Sequence, residues 1–431
     1  GINGTWLGSG NPATGANPFI TVSATNKGNL IPAFSQYPAH ARTIANFGQD
    51  SSFAGLKTPQ GNQDGNDIGD FYYAPPAGFL ALCTKNLPDA TVIPSEHFNT
   101  VIYTGTGSTQ SIAVGLQPDL TWFKSRSASR SHVLVDAVRG VTKELLSDGT
   151  NAELTSSSTE DLTAFTSTGF DLGTPYNNSP NESGASIVAW NWKAGGTASS
   201  NTNGSITSSV SANPSAGFSI VSWDGTAANA TVGHGLSKPP EMLIAKSRDN
   251  ATPWPVYHSG NTAAPETEYL QLNAAYATAD YPTWNDTLPT SSVFSLGTTS
   301  WVNPSASPMI AYAFHSVDSY SRVGSYIGNG NVDGPFVHCG FKPAMIIFKV
   351  SSASGTNWML LDNKRDPFND DTPLYLHPDT SDADNANSGA PVDFVSNGFK
   401  VRTASSIRNP NGGTVIFIAF AENPFKHTNA R

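Results

Sequence analysis

The stretch GLQPDLTWFK, residues 115–124, joins a turn containing glycine and proline to an apolar run that ends at a lysine. The same pattern returns as GLSKPPEMLIAK at 235–246 and as GFKPAMIIFK at 340–349. Each run is predicted to be a strand that is buried on both faces or lies in a sandwich core. The proline is expected to precede the ladder hydrogen bonds, where its missing N–H does no harm.

This pattern belongs to a longer unit that occurs three times. Each copy opens with a strand and a Gly-rich turn: FNTVIYTGTGSTQSI from Phe98, FSIVSWDGTAANATV from Phe218 and RVGSYIGNGNVDGPF from Arg322. Each copy closes on another apolar strand, ASIVAWNWKAG, PMIAYAFHSV or TVIFIAFAENPF. The spacing suits one compact sandwich domain per copy. The lysines that end the central runs are interpreted as solvated strand ends or surface ion-pair partners: Lys124, Lys246 and Lys349.

Composition supports an all-β chain. Of 431 residues only 13% are charged, while 39 are glycine and 30 are proline, which interrupt helices and favour turns. The fold class predicted is therefore tandem β-sandwich domains, of the jelly-roll or concanavalin-like kind, with three internal repeats. The predicted boundaries are an N-terminal piece, a first repeat, a Gly/Ser/Thr-rich extended or flexible linker, a second repeat and a third repeat: 1–92, 93–196, 197–217, 218–320 and 321–431.

Several function classes are disfavoured by the bulk properties. The net charge of −10 and the absence of a basic cluster argue against a nucleic-acid partner. No apolar run approaches the roughly 20 residues that span a bilayer, so membrane insertion is not expected. Cys83 and Cys339 match no metal spacing and are expected to be two unpaired, largely buried thiols. No cofactor motif is present, and no cofactor is expected.

Several motifs resemble those of bacteriophage virion proteins. The block NFGQ…F…PPAGFLALCTKNLP resembles the closing strands of SPRY-like (B30.2-like) domains in phage structural proteins. The repeats resemble the repeat region of large virion proteins of phages that infect marine and aquatic bacteria, some of them described as tail fibres. The motifs that carry this resemblance are YTGTGSTQSI, GLQPDLTWFKSRS, IVAWNWKAGG, VGHGLSKPPEMLIAKSRD, NWMLLDNKRDP and FAENPFKHTNAR. The early strands of a SPRY-like sandwich are not seen, so residues 1–92 are expected to be a partial domain.

Little in the sequence points to catalysis. Asp136 and Asp362 fall at the same place in the first and third repeats, each three residues before an arginine, and the second repeat has His258 there. This variation favours polar hydrogen bonding that fixes a loop over a catalytic pair. No nucleophile elbow, P-loop or zinc spacing is present. The protein is predicted not to be an enzyme.

Two acidic clusters are candidate calcium loops. The first is DGNDIGD, with Asp64, Asp67 and Asp70, and the second is DNKRDPFNDD. Neither follows the EF-hand spacing, so solvated turns are favoured, with a structural calcium left open. The second cluster contributes four aspartates: Asp362, Asp366, Asp370 and Asp371.

Aromatic residues in polar loops of the second repeat are the candidate ligand-binding residues. Exposed Trp and Tyr rings offer an apolar face to a sugar, while Asn and Asp can bond its hydroxyls. The alternative is that these rings plug the ends of a sandwich or meet a neighbouring subunit. The candidates are Tyr281, Trp284, Asn285, Asp286, Trp254 and Trp301.

The resemblance and the candidate residues together predict a phage virion structural protein. A tail fibre or similar external appendage that attaches to a host-surface glycan or receptor is favoured. A capsid or tail decoration protein that binds no receptor is the main alternative, and a polysaccharide depolymerase is a weaker one. The expected partners are other virion proteins, the host surface and further copies of the chain, with a homotrimer favoured from the resemblance. The loops after VRG, YHSG and KRDP differ most among the repeats and are where recognition is expected to have specialised.

Overall fold

The computed structural model describes residues 44–177, 179–386 and 391–428. The chain divides into two units, 1–89 and 90–431. In the described part of the first unit, the β pairing is one isolated bridge between Asn62 and Phe71, followed by a 3-10 turn at Thr84–Asn86. Residues 1–43 of the predicted SPRY-like piece lie outside the described residues, so that assignment stays a prediction.

The second unit is all-β, as the sequence predicts. No helix of seven or more residues occurs in the described chain, and the strands form antiparallel sheets consistent with tandem sandwiches. We divide it into three modules. The first module contains β1 Phe98–Thr104, β2 Gln110–Ala113, β3 Leu120–Ser125, β4 Val133–Asp136, β5 Lys143–Leu146, β6 Leu154–Thr155, β7 Leu162–Thr166, β8 Gly169–Leu172 and β9 Ser186–Trp192.

The other two modules repeat this series. The second contains β10 Ser199–Asn201, β11 Ser208–Asn213, β12 Phe218–Asp224, β13 Ala230–Gly233, β14 Met242–Ser247, β15 Pro255–His258, β16 Glu268–Gln271, β17 Ala279–Asp280, β18 Val293–Leu296 and β19 Pro308–Phe314. The third contains β20 Ser321–Ile327, β21 Phe336–His338, β22 Phe341–Val350, β23 Met359–Asp362, β24 Leu374–Tyr375, β25 Asn385–Ala386, β26 Val392–Val395, β27 Gly398–Val401 and β28 Thr414–Pro424. Short 3-10 turns lie at Pro94–Glu96, Pro265–Thr267 and Phe425–His427.

Strand order in the large sheet is the same in each module. It runs β1-β9-β3-β4-β5-β6 in the first and β12-β19-β14-β15-β16-β17 in the second. In the third it runs β20-β28-β22-β23 and continues to β24 through a bridge between Leu360 and Leu376. A smaller sheet belongs to each module: β2-β8-β7, β13-β18 or β21-β27-β26. The three copies seen in the sequence are therefore three copies of one topology.

The segment 197–217 is part of the second sandwich, and the prediction of an extended or flexible linker was wrong. Its strands β10 and β11 extend the large sheet beyond β12. Most side chains of this segment are small and polar, which suits strands at the edge of a sheet. Val210 pairs with Val221 and contributes to the module core, so β11 is packed as well as hydrogen-bonded.

Each large sheet is buried on both faces, as predicted for the central strands. In β3, Phe123 faces the core of its own module, whereas Leu120 and Trp122 face a core that all three modules share. In β14, Leu243 lies in the module core and Ile244 in the shared core. This alternation explains why the central strands have no polar face: both faces pack against protein.

The shared core brings the modules together in a cyclic arrangement. Three equivalent backbone hydrogen bonds connect the first module to the second, the second to the third and the third to the first: Glu153 N–H to Arg248 O (2.7 Å), Thr278 N–H to Ser351 O (2.8 Å) and Asp384 N–H to Arg126 O (2.9 Å). The equivalent rings of Trp192 and Phe314 both contact Phe420, at 5.5 and 5.9 Å between centroids. An apolar cavity of about 20 Å³ remains among the three sheets. The modules are thus arranged with approximate threefold symmetry.

The three shared lysines are buried, so their interpretation as solvated strand ends was wrong. Each ammonium donates to the carbonyl of the next residue and to a second carbonyl beyond the strand. Lys124 reaches Ser381 O of the third module at 3.1 Å. Burial lowers the pKa of all three ammonium groups to about 8: Lys124, Lys246 and Lys349. The three lysines therefore stabilise the backbone near their strand ends through buried hydrogen bonds to carbonyl groups.

Two smaller predictions also need correction. Pro343 lies inside β22, at an irregularity in its register with β28, so only the first two copies place proline before the ladder. Both cysteines are unpaired, but Cys83 is exposed and only Cys339 is buried. Burial raises the pKa of the Cys339 thiol to about 12.

Within the described residues, no helix is long and apolar enough to cross a membrane.

Candidate functional site

Three aromatic rings form a cluster at the surface of the second module. Tyr281 and Trp301 stack at 5.3 Å between centroids with 27° between their planes. Tyr269 in β16 lies 5.3 Å from Trp301 and 6.2 Å from Tyr281. Tyr281 is 45% exposed, while the other two rings are half-buried. We call Tyr269, Tyr281 and Trp301 the aromatic cluster.

Local hydrogen bonds position the two loop residues of the aromatic cluster. The Tyr281 N–H donates to Thr267 O at 3.1 Å, which holds the residue after β17 against the start of β16. The Trp301 N–H donates to Thr299 Oγ1 at 3.2 Å. The rings are therefore presented by ordered backbone at the end of a sheet, as a preformed apolar surface.

Two of the predicted tryptophans are not at the surface. Trp254 is fully buried between modules, and its indole N–H donates to Leu146 O of the first module at 2.9 Å. Trp284 is buried in the core of the second module, with its ring 6.1 Å from that of Tyr257. Both were predicted to be ligand-binding because they lie among polar residues, but each ring fills a core. Trp284 thus fills its own sandwich, whereas Trp254 fills the contact with the first module.

Asn285 and Asp286 lie in the turn that follows Trp284. Both have left-handed backbone dihedrals, with φ of 53° and 46°, which Asn and Asp tolerate better than most residues. Asp286 is exposed and Asn285 is half-buried. Among the described residues, no hydrogen bond connects either side chain to the aromatic cluster. The sequence missed Tyr269, whose only signal is that it alternates with the buried Leu270 along β16.

The position of Tyr269 has a different environment in each module. Leu270 pairs with Val256 as Leu145 pairs with Leu134 and Leu376 with Leu360. The residue before each of these leucines is thus equivalent: Glu144, Tyr269 and Tyr375. Tyr375 is buried under the Arg408 guanidinium, 5.0 Å from the ring centroid. This position, which we call the corner of each sandwich, holds an acid in the first module, part of the aromatic cluster in the second and a Tyr–Arg contact in the third.

The corner of the first module contains a buried acid pair. Glu144 and Asp161 are 0% and 1% exposed and within hydrogen-bonding reach of one another. Burial raises the pKa of Glu144 to about 8, and the nearby Asp161 contributes to this rise. Burial also raises the pKa of Asp161. Paired carboxyls in this state are a feature of many functional sites, and no pattern in the sequence pointed to them.

A comparison with protein families identifies the unit that these modules form. Residues 93–424 match the model of a family described as Domain of unknown function (DUF7483). The chain belongs to this family. The match begins just before β1 and ends with β28, so one DUF7483 domain corresponds to all three modules together. No curated protein and no solved structure matches the chain.

The Asp–Arg pairs of the DUF7483 domain lie at the contacts between its modules. Asp136 accepts hydrogen bonds from the Val138 and Arg139 N–H groups, which fixes the turn after β4. Its other oxygen accepts from Arg139 Nε at 2.5 Å. Asp362 and Arg365 repeat these contacts in the third module. All four side chains are 0% exposed, in keeping with the predicted role in fixing a loop.

The two acidic clusters make loop contacts. Asp64 accepts hydrogen bonds from the backbone of Asn66, Ile68 and Ala81, and Asp370 accepts from Thr372 N–H. Across the described residues, no group of three or more His, Cys, Asp or Glu side chains is placed to hold a metal ion. The contacts seen at both clusters are those of hydrogen-bonded turns.

Proposed function

We propose that the protein is a virion surface component that attaches to host-surface glycans through the aromatic cluster. The stacked Tyr281 and Trp301 rings carry this proposal, because they are the candidate aromatic residues from the sequence that are not buried. A sugar ring stacks its apolar face on such a surface and leaves its hydroxyls free to bond neighbouring polar groups. Asp280 and Asp286 are exposed acceptors close by in the chain.

The three-module core supports a role in presentation. The aromatic cluster rests on β16, and that sheet is packed on both faces. A rigid base of this kind lowers the entropy cost of holding the rings in one geometry. Single aromatic surfaces bind sugars weakly, so a homotrimer, which we also propose, would gain avidity by presenting three such clusters at once.

The phage setting of this proposal comes from the resemblance of the repeats to virion proteins. We propose an external location, in a tail fibre or similar appendage, because a glycan-binding surface is useful only where the host can be touched. Labelling the protein on intact particles and imaging them would test the location. Finding it in the capsid shell, together with failure of the isolated protein to adsorb to cells, would favour the decoration role instead.

We propose binding and not catalysis for the same surface. A glycosidase places two carboxyl groups against the scissile bond. The paired carboxyls of the first module are enclosed, at 0% and 1% exposure, and the aromatic cluster lies in a different module. Release of oligosaccharide from host envelope by the purified protein would replace this proposal with a depolymerase.

The test of glycan binding uses single alanine substitutions in the full chain. Tyr281→Ala and Trp301→Ala are expected to weaken binding to an array of bacterial surface polysaccharides at least about tenfold, since central aromatic anchors carry much of an interface's energy. Tyr276→Ala is the matched control, because Tyr276 is a 61% exposed tyrosine of the same module outside the aromatic cluster. Equal binding by all three variants would refute the assignment of the site.

A further inference from the structure

A surface cleft lies beside the corner of the first module. It has a volume of about 510 Å³, a size typical of small-molecule sites. Its apolar lining includes Leu146 of β5 and Leu154 of β6, and the Tyr176 ring beside them is 37% exposed. We call it the first-module cleft.

The strand on one side of the first-module cleft has an equivalent beside the aromatic cluster. Leu154 in β6 pairs with Glu144, as Ala279 in β17 pairs with Tyr269. Tyr281 of the aromatic cluster directly follows β17. The cleft and the aromatic cluster therefore lie against the same strand of their respective sandwiches.

The loop on the other side is also equivalent. Asn181 fixes the end of this loop in the first module by donating from Nδ2 to Gly173 O at 2.6 Å. Asn303 makes the same contact in the second module, at 3.1 Å, to the carbonyl of the glycine that follows β18. Tyr176 lies in the first of these loops and Trp301 in the second. The two modules thus present an aromatic ring from the same loop at the same corner.

Hydrogen bonds within the first module fix the loop that carries Tyr176. Asp161 Oδ1 accepts from the Tyr176 N–H at 3.0 Å and from the Ser179 hydroxyl at 2.5 Å. The Tyr103 hydroxyl donates to Pro180 O at 2.8 Å. The cleft is therefore preformed, which lowers the entropy cost of binding a ligand.

The third module uses the equivalent loop differently. Asn409 fixes its end through a hydrogen bond from Nδ2 to Thr403 O at 2.7 Å. Arg408 in this loop is fully buried, with its guanidinium over the Tyr375 ring. An arginine thus covers the ring at this corner, whereas the first module leaves Tyr176 accessible.

The polar groups of the first-module cleft indicate what chemistry it recognises. Asn151 is exposed, and its side chain makes no hydrogen bond to a described residue. Its amide can both donate to and accept from a hydroxyl group. Arg130 and Glu182 pair with each other through two hydrogen bonds, of 3.1 and 2.8 Å. Because each neutralises the other, the lining favours an uncharged ligand rich in hydroxyl groups.

We propose that the first-module cleft is a second glycan subsite that takes a neutral sugar residue. This inference rests on the proposed glycan-binding function and adds a site to it. The apolar face of the sugar packs on Tyr176, and its hydroxyls bond the Asn151 amide. An ionised sugar would have to separate Arg130 from Glu182 to be neutralised. Two subsites on one protein chain would gain avidity for a long polysaccharide.

The test measures binding of the full chain to an array of neutral and acidic bacterial surface polysaccharides. Tyr176→Ala is expected to weaken binding to neutral members at least about fivefold, since it removes an aromatic anchor. Asn151→Ala should weaken it about threefold, the effect of one hydrogen bond. Tyr176→Phe keeps the ring and should bind nearly as well as the wild type. Unfolding temperatures equal to that of the wild type will show that the variants fold.

The same array separates this inference from the proposed function. Tyr276→Ala is again the matched control, and a loss in Tyr176→Ala that this control lacks supports the cleft. A loss in Tyr281→Ala with none in Tyr176→Ala overturns the cleft and leaves the aromatic cluster supported. A loss in Tyr176→Ala with none in Tyr281→Ala supports the cleft and refutes the aromatic cluster. A loss confined to acidic polysaccharides overturns the neutral-sugar assignment, and no binding by the wild type overturns both sites.

Discussion

The junctions between modules are of two kinds, two of them charged and one neutral. At the junction of the first and second modules, Asp136 accepts a hydrogen bond from the Tyr312 hydroxyl at 2.9 Å. At the junction of the third and first modules, Asp362 accepts from the Trp190 indole N–H at 3.1 Å. At the junction of the second and third, His258 takes the equivalent place and its Nε2 lies 3.1 Å from Phe417 O.

The charged junctions continue into longer networks. Arg139 also contacts Glu153, which binds Arg248 of the second module at 2.8 Å. The equivalent ion-pair network in the third module runs from Arg365 to Asp384. Asp384 in turn contacts Arg126 of the first module at 2.6 Å. The neutral junction has Thr278 and Ser351 at these places, joined by a backbone hydrogen bond instead of an ion pair.

His258 shows which interactions are required at the position that Asp136 and Asp362 occupy in the other modules. His258 Nδ1 accepts the Gly260 N–H at 3.1 Å, as Asp136 Oδ1 accepts the N–H groups of its own turn. With Nδ1 as acceptor, Nε2 carries the proton and donates across the junction to a carbonyl. A turn-capping acceptor and one polar contact to the next module are therefore sufficient, and the charges are an addition to this minimum.

The largest expected difference between the junctions comes from removing one charge. Among the described residues, Asp362→Asn leaves the fully buried Arg365 with Asp384 as its remaining counter-ion. The free energy of unfolding should fall by about 3–5 kcal/mol, the usual cost of breaking a buried ion pair. His258→Gln keeps a neutral donor and acceptor and should cost about 1 kcal/mol. Urea unfolding of both variants measures the difference, and equal losses would show that charge is irrelevant at these positions.

The comparison also shows which parts of the structure the sequence could predict. The repeated GLQPDLTWFK pattern predicted buried strands correctly because hydrophobic runs and turns are local signals. The same run could not reveal what covers each face. The Trp122 face packs on the other modules and the Phe123 face on its own, yet both residues are apolar. The burial of Lys124 was missed for a related reason, since the carbonyl that binds it belongs to Ser381, far along the chain.

The candidate site was predicted in part for similar physical reasons. Tyr281 and Trp301 come from loops, and the structure places their rings in contact. Trp254 has a comparable polar neighbourhood in sequence, but its indole N–H finds a carbonyl in another module and the ring becomes core. Glu144 and Tyr269 occupy regular strand positions, so no local signal separates them from ordinary strand residues. Their importance depends on which residues the fold brings to them.

A second difference between the junctions should appear on acidification. Burial lowers the pKa of His258 to about 4, below the value near 6.5 in the unfolded chain. The unfolded state therefore binds more protons between pH 4 and 6.5, and stability is lost as pH falls through that range. At pH 5 the loss from this residue is about 2 kcal/mol. Comparing unfolding free energies at pH 7 and 5 should show a smaller pH dependence in His258→Gln than in the wild type. An unchanged dependence would mean that His258 does not titrate differently on folding.

A third difference between the junctions concerns a single hydroxyl at a charged junction. Tyr312→Phe removes the hydrogen bond to Asp136 and should lower the free energy of unfolding by about 1.5 kcal/mol, the range for hydrogen bonds to charged groups. Ile418 occupies the equivalent place at the neutral junction, so an apolar side chain fits there without loss of packing. A double-mutant cycle with Asp136→Asn separates the hydrogen bond from packing. If the hydroxyl acts through the Asp136 carboxylate, Tyr312→Phe should cost much less in the protein that already carries Asp136→Asn. If its cost is the same in both backgrounds, the hydroxyl does not act through Asp136, and its remaining partner is Arg139, whose Nη2 donates to it at 3.3 Å.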